Sequence, residues 1–242
     1  MGIIGVLFQH SQGEKMKKLV SCALVLTMVL SLAGCSKGSA GFSGTVKKVT
    51  KAAENVYGAE EATKKQKKKI MDDDDFDYGD SDFQDGVYVT LDEGDIEDID
   101  FGEDVDFDPE EIRNIFLFIK SERSKPCTMT EIYEMSDKAA VDDLFEYMLD
   151  RYGTTEKKLK KLARNQDAEY GFEEDDNMLA AILYSEEKNA LQSCYIKKDG
   201  NVVIVSQYTG KYDSDVCEEF FDYAREAGFY DTETLIEEEE DD

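Results

Sequence analysis

The chain has 242 residues, with 56 Asp and Glu against 28 Lys and Arg, so its formal net charge at pH 7 is −28. A surface this acidic repels phosphate backbones, and we therefore expect no nucleic-acid partner. Apolar residues make up 41% of the chain and include 13 Phe and 13 Tyr, which is enough for a real core, so wholesale disorder is not expected.

The first 15 residues form an unusual preface to the segment that follows them. Lys17 and Lys18 come directly after Met16, and a charged pair of this kind normally lies close to the amino end of a secretory signal. We therefore predict that Met16 is the true start and that residues 1–15 are not translated. His10 is the chain's only histidine and lies in this preface, so the mature protein would have none.

Residues 16–35 have the layout of a secretory signal and read MKKLVSCALVLTMVLSLAGC. Lys17 and Lys18 form the charged n-region. The uncharged run after them has about 17 residues, fewer than the roughly 20 that span a bilayer comfortably. It ends in Leu32, Ala33, Gly34 and Cys35, and the small residues that follow Leu32 favour cleavage over permanent spanning.

The tetrad Leu32-Ala33-Gly34-Cys35 resembles the lipobox of bacterial lipoproteins, of the uncharacterised Gram-positive surface kind. The resemblance implies that Cys35 receives a diacylglyceryl group on its sulfur and becomes the first residue after cleavage by a signal peptidase of type II. Two acyl chains, such as palmitate, suffice for stable membrane attachment. The implied location is the cell membrane, facing outward.

Residues 36–44, SKGSAGFSG, have the composition of a flexible Gly/Ser tether. The apolar positions that follow predict a helix from residue 45 to Gly58, and residues 59–71 are a second run of helix formers. Eight lysines and three glutamates lie between residues 47 and 69. These lysines either face anionic headgroups and wall polymers or pair with the protein's own acidic residues, and we slightly favour the pairing.

Residues 72–110 form an acidic insertion, and no basic residue occurs between Lys69 and Arg113. Within it, residues 86–91 alternate well enough to predict a short strand. Carboxylates for a weakly bound divalent cation such as calcium are offered by Asp73, Asp75, Asp77, Asp80 and Asp82. Tyr78 stands where the EF-hand spacing requires glycine, so a solvated acidic loop is favoured over an ordered metal site.

A first α+β unit is predicted over residues 45–153, with the acidic insertion between its first two strands. Residues 114–122 and 128–135 are rich in β-branched and aromatic residues and predict a hairpin. Ser136 fits the N-cap of a helix that ends at Gly153.

A second unit is predicted over residues 154–228. A helix at 155–165 precedes strands at 178–184, 191–197 and 201–208, and Ser214 caps a last helix that Gly228 closes. Both units read as helix, three strands, helix, which indicates either a duplication or a coincidence between common elements. In both cases the expected fold class is α+β, with antiparallel sheets and packed helices. Residues 229–242 are predicted to be an acidic tail that is disordered from Asp231 onward.

Three cysteines remain after the signal is removed and Cys35 is modified, namely Cys127, Cys194 and Cys217. We favour three buried thiols, with a Cys194–Cys217 disulfide as the alternative. Cys217 falls in the first turn of a predicted helix, where a thiolate is favoured, but its acidic neighbours oppose that charge.

No catalytic motif stands out in the sequence. A P-loop, a nucleophile elbow and a C-x-x-C pair are all missing, and no mature histidine can act as a base. We therefore expect a binding protein rather than an enzyme, with no cofactor beyond a weakly held divalent cation, and with an envelope protein, a wall polymer or a small ligand as its partner. The alternatives are a carboxylate-dependent envelope hydrolase and an acidic cation-binding surface protein.

Overall fold

The computed structural model describes residues 41–71, 83–99, 105–122, 125–212 and 214–237. The strands are β1 (Glu60–Glu61), β2 (Val87–Leu91), β3 (Ile112–Glu122), β4 (Lys125–Met135), β5 (Glu169–Asp175), β6 (Met178–Ser185), β7 (Ala190–Asp199) and β8 (Val202–Gly210). The helices are α1 (Gly41–Tyr57), α2 (Lys64–Met71), α3 (Glu93–Ile96), α4 (Lys138–Tyr152), α5 (Glu156–Gln166), α6 (Asp215–Ala227) and α7 (Thr234–Glu237).

One eight-stranded sheet joins all of these strands, in the order β1-β2-β3-β4-β8-β7-β6-β5. Neighbouring strands are antiparallel except β1 and β2, which are parallel. The predicted α+β class, with helices packed on an antiparallel sheet, is confirmed. The two predicted units are halves of this one sheet, because β4 pairs with β8 along seven residues on each strand.

The sheet is covered on both faces, which explains the unbroken apolar run in the middle of β3. Ile115, Leu117 and Ile119 point to the side on which α4 packs, which we call the α4 face. Phe116 and Phe118 point to the opposite side, the α1/α6 face, where α1 and α6 lie. Because successive side chains alternate across a strand, one hairpin contributes to two separate cores.

Helices α4, α5 and α6 begin and end close to the predicted positions, whereas the run of helix formers over residues 59–71 is helical only from Lys64 and contains strand β1 at Glu60–Glu61. Thr155 and Ser214 are N-caps, with side chains that accept from the backbone N–H of Lys158 and Cys217. The prediction of Ser136 as a cap is wrong by one residue: Asp137 caps α4, and its carboxylate accepts from two backbone N–H groups of the first turn. A carboxylate also suits the positive end of the helix dipole.

The predicted tether, residues 36–44, is too long. Helix α1 begins at Gly41, and Phe42 is buried on the α1/α6 face. The last four tether residues therefore belong to the first turn of a helix, because burial of one aromatic ring outweighs the poor helix propensity of the glycines around it.

The two predicted units are not a structural duplication. A rotation that exchanges the antiparallel neighbours β4 and β8 has its axis perpendicular to the sheet, so it keeps every element on its own face. The two closing helices lie on opposite faces, however: α4 packs with Ile196 and Val205, whereas α6 packs with Tyr195 and Ile204. The second half also has an additional strand, β5. Coincidence between common elements explains the similarity in sequence.

Residues 229–237 are folded, which corrects the prediction of an acidic tail over residues 229–242 that is disordered from Asp231 onward. Phe229 and Leu235 are buried on the α1/α6 face. Gly171 of β5 makes room for Leu235, since a Cβ at this glycine would overlap the leucine side chain. Arg225 of α6 forms ion pairs with Asp231 and Glu233. Residues 238–242 lie outside the described residues.

Candidate functional site

The residues of the predicted signal and of the predicted cation site lie outside the described residues. They are Lys17, Lys18, Leu32, Ala33, Gly34 and Cys35, and Asp73, Asp75, Asp77, Asp80 and Asp82. Within the described ranges, no group of three or more His, Cys, Asp or Glu residues is placed to hold a metal ion. Likewise, no helix of the described chain is both long and apolar enough to cross a membrane.

The three remaining cysteines are buried thiols, as favoured from the sequence. The alternative, a Cys194–Cys217 disulfide, is not formed: Cys194 lies in the core of the α4 face and Cys217 in that of the α1/α6 face, with the sheet between them. Burial raises the pKa of both thiols to about 12, and Glu233 and Glu218 add to this effect at Cys217. At neutral pH both are thiols, which are poor nucleophiles.

The most unusual group in the described residues is the carboxyl of Glu131. Glu131 lies in the middle of β4 on the α4 face and is 4% exposed, and it is the only acidic residue that the described chain buries to this extent. A carboxylate without water requires hydrogen bonds or a counter-charge. Tyr133 and Arg151 provide them.

The Tyr133 hydroxyl donates a hydrogen bond to Glu131 Oε2 over 2.8 Å. Burial raises the pKa of Glu131, and this effect exceeds the opposing effects of the Tyr133 hydrogen bond and of the Arg151 charge. Tyr133 is buried as well, and burial together with Glu131 raises the pKa of its phenol. The pair is therefore held in an environment that favours its protonated forms.

Arg151, in the last turn of α4, brings a positive charge to the same site. Its Nη1 donates to the Tyr147 hydroxyl over 2.8 Å, and its guanidinium carbon lies 5.1 Å from the centre of the Tyr152 ring. Burial lowers the pKa of Arg151. The phenols of Tyr152 and Tyr147 and the carboxyl of Glu131 raise this pKa by a larger amount, so the guanidinium stays charged. This charge stabilises the ionised form of Glu131.

Two buried nitrogen atoms at or near this cluster have no hydrogen-bond partner among the described residues. They are Nε of Arg151 and Nε2 of Gln207. Gln207 is paired in register with Met129 on β4 and with Cys194 on β7, and Cys194 Sγ donates to the Tyr152 carbonyl over 3.7 Å. The Glu131 cluster, meaning Glu131, Tyr133, Arg151 and Tyr152, thus lies beside a side chain with spare hydrogen-bond donors.

The Glu131 cluster does not have the geometry that glycoside hydrolysis uses, which is two carboxyl groups in different environments. Arg151 is the only charged group that acts on Glu131 within the described chain. The sequence does contain a signal for the cluster. Met129, Glu131, Tyr133 and Met135 share one face of a predicted strand, and a glutamate on an otherwise apolar face indicates a buried carboxyl.

Replacement of Glu131 by glutamine is expected to stabilise the protein relative to wild type as the pH rises. Since the folded-state pKa is raised, wild type keeps the full contribution of protonated Glu131 below the unfolded-state pKa and loses it as the pH rises through the folded-state value. The variant is neutral at every pH, so its advantage grows by about 1.4 kcal/mol for each pH unit between the two pKa values.

Urea unfolding of both proteins at a series of pH values from about 4 to 8 measures this difference. Glu146→Gln is the matched control, because Glu146 lies exposed on α4 and the same charge is removed. A Glu131→Gln difference that is flat with pH, or that follows the control, would contradict a raised pKa at Glu131.

No protein-family model matches this chain, and a search of the curated proteins found no match to it.

Proposed function

We propose that this is a lipid-anchored extracytoplasmic protein whose α+β body has a binding role at the outer surface of the cell membrane. The observation that carries the proposal is the tetrad Leu32-Ala33-Gly34-Cys35 at the end of a short apolar run that Lys17 and Lys18 open. The arrangement resembles a lipoprotein signal, and two acyl chains would hold the protein on the membrane without a spanning helix.

The position of the folded body supports attachment at Cys35. Helix α1 begins at Gly41, so five residues separate the anchor from the first turn of the fold. Cleavage before Cys35 would therefore leave every described element in the mature protein. Cys127, Cys194 and Cys217 are buried in the body, where an enzyme that transfers lipid could not reach them.

The charge of the body favours a partner that carries positive charge. Residues 72–242 contain 52 acidic and 16 basic residues, and complementary potential increases the rate and the specificity of association. An envelope protein, a wall polymer or a small ligand with cationic groups fits this requirement. A bare anionic polymer does not.

Each of the two alternative functions is supported by a single observation. A carboxylate-dependent envelope hydrolase is favoured by one observation, the raised pKa of Glu131, since raised carboxyl pKa values are typical of general acids. A cation-binding surface protein rests on the aspartates of residues 72–82, which are outside the described residues. Both stay second to the binding role.

The mass of the amino-terminal peptide tests the proposal. Trypsin cleaves after Lys37, so membrane-derived protein should yield the peptide Cys35-Ser36-Lys37 carrying a diacylglyceryl group. An unmodified tryptic peptide that runs from Leu19 through Cys35 to Lys37 would show that neither lipidation nor cleavage had taken place, and would overturn the proposal.

A further inference from the structure

Helix α1 carries a compact group of exposed lysines, Lys47, Lys48 and Lys51, which we call the α1 lysine face. At about 100° per residue, positions i, i+1 and i+4 of a helix fall within about 100° of one another. The opposite side of α1 is buried through Val49, Ala52 and Ala53. The three ammonium groups therefore point away from the sheet together.

The α1 lysine face is not neutralised by the described part of the protein. No ion pair joins Lys47, Lys48 or Lys51 to another described residue. Lys67 of α2 differs from these three lysines, because it is buried, which lowers its pKa, and it lies in the field of Asp95, Asp92 and Glu61.

The short link to Cys35 places this face near the bilayer. Six peptide steps from Cys35 to Gly41 span at most about 20 Å when fully extended. Along α1, Lys47 lies about 9 Å and Lys51 about 15 Å beyond Gly41, at 1.5 Å per residue. With α1 lying along the membrane surface, all three lysines reach the headgroups, within the Debye length of about 8 Å at physiological salt.

The negative charge on the remainder of the body also favours an orientation with the α1 lysine face towards the membrane. Residues 41–57, which form α1, contain three lysines and one glutamate, whereas residues 72–242 contain 52 acidic and 16 basic residues. An anionic surface attracts the α1 lysine face and repels the acidic remainder. Together these two effects favour an orientation in which the α1 lysine face is turned towards that surface.

We propose that the α1 lysine face lies against anionic phospholipid headgroups in the anchored protein and so orients the acidic body outward. The inference rests on the proposed lipid anchor at Cys35. The occupant is the lipid surface rather than a free anion, because the anchor supplies that surface continuously at the end of a short tether.

Helix α5 offers a matched control on the other side of the sheet. Lys157, Lys158 and Lys161 have the same i, i+1, i+4 spacing and are exposed. Helix α5 packs through Leu159 and Ala163 onto Leu179, Ala181 and Leu183, whose side chains point to the α4 face. Substitution of either set by glutamine removes three positive charges from an exposed helix surface.

The test uses the chain from Cys35 onward, coupled through that thiol to a maleimide carrying one exchangeable acyl chain. The other cysteines are buried and do not compete. Coupled protein is allowed to distribute between neutral phosphatidylcholine vesicles and vesicles with half phosphatidylglycerol. Relative to wild type, K47Q/K48Q/K51Q should lower the anionic-to-neutral ratio by on the order of 100-fold, since each lysine at the surface contributes about one kcal/mol.

K157Q/K158Q/K161Q should lower that ratio by less than about threefold, because its lysines face away from the bilayer and are screened. About 0.5 M salt should remove most of the difference between the two variants. Equal shifts for the two variants, or no shift for either, would overturn the proposal. Because the coupling is chemical, such a failure leaves the lipid anchor untouched, and the mass of the amino-terminal peptide decides the anchor separately.

Discussion

Replacement of Phe118 by alanine is expected to lower the free energy of unfolding by about 3–5 kcal/mol. Phe118, on β3, is completely buried. Its ring centre lies 5.6 Å from that of Tyr57 and 5.1 Å from that of Tyr223. One side chain thus joins the sheet to the last turn of α1 and to the middle of α6, so its removal leaves a cavity that three elements line.

The loss of stability in Phe118→Ala should be largest where α1 packs on the sheet through Tyr57. The Tyr57 hydroxyl is hydrogen-bonded to Thr128 Oγ1 over 3.1 Å, and the Tyr223 hydroxyl donates to Thr130 Oγ1 over 2.8 Å. Both hydroxyls depend on rings that Phe118 positions. We therefore expect the amide protons of α1 to exchange faster in the variant, before global unfolding.

Urea unfolding measures the change in stability, and Phe172→Ala is the control. Phe172 lies on the edge strand β5 and is only partly buried, so the same substitution there should cost about 1 kcal/mol. Equal losses at the two positions would contradict the view that Phe118 is the joint between α1, α6 and the sheet.

Local patterns were sufficient to predict most helices and strands. The β3/β4 hairpin follows from dense β-branched and aromatic residues on both sides of a turn, and α5 and α6 from a capping Thr155 or Ser214 before helical spacing of apolar residues. Each of these signals lies within about 15 residues of chain. These elements are confirmed because residues close together in the chain are enough to specify them.

The arrangement of these elements depends on contacts that no local pattern records. β4 pairs with β8 across about 70 residues of chain, and this pairing decides on which face each helix packs. Strand β5 was missed because its sequence, EYGFEED, is mostly acidic and lies at the sheet edge. The fold of residues 229–237 was missed for a related reason, since Leu235 becomes buried only when Gly171 lies beneath it.

Some features of the candidate site can also be predicted from the sequence, whereas others depend on the fold. Glu131 could have been found from the alternation of its strand, but its relation to Arg151 requires the end of α4 to meet the centre of β4. The Cys194–Cys217 bridge was conceivable only while the faces of the sheet were unknown. The tetrad that ends at Cys35, by contrast, is a property of the sequence alone, and its role stays a proposal.

Cys35→Ala is expected to abolish incorporation of labelled fatty acid completely, because the substitution removes the sulfur atom to which the proposed diacylglyceryl group is attached. Membrane affinity from the acyl chains, about 0.8 kcal/mol for each buried methylene, disappears with it. Cys22→Ala is the matched control, since Cys22 lies in the part of the signal that cleavage would remove.

Labelled palmitate, followed in cells that express wild type, Cys35→Ala and Cys22→Ala, tests the proposed anchor most directly. We expect label in wild type and in Cys22→Ala and none in Cys35→Ala, with the first two proteins in the detergent phase after phase separation. Label in Cys35→Ala at the level of wild type would contradict a lipid anchor at Cys35.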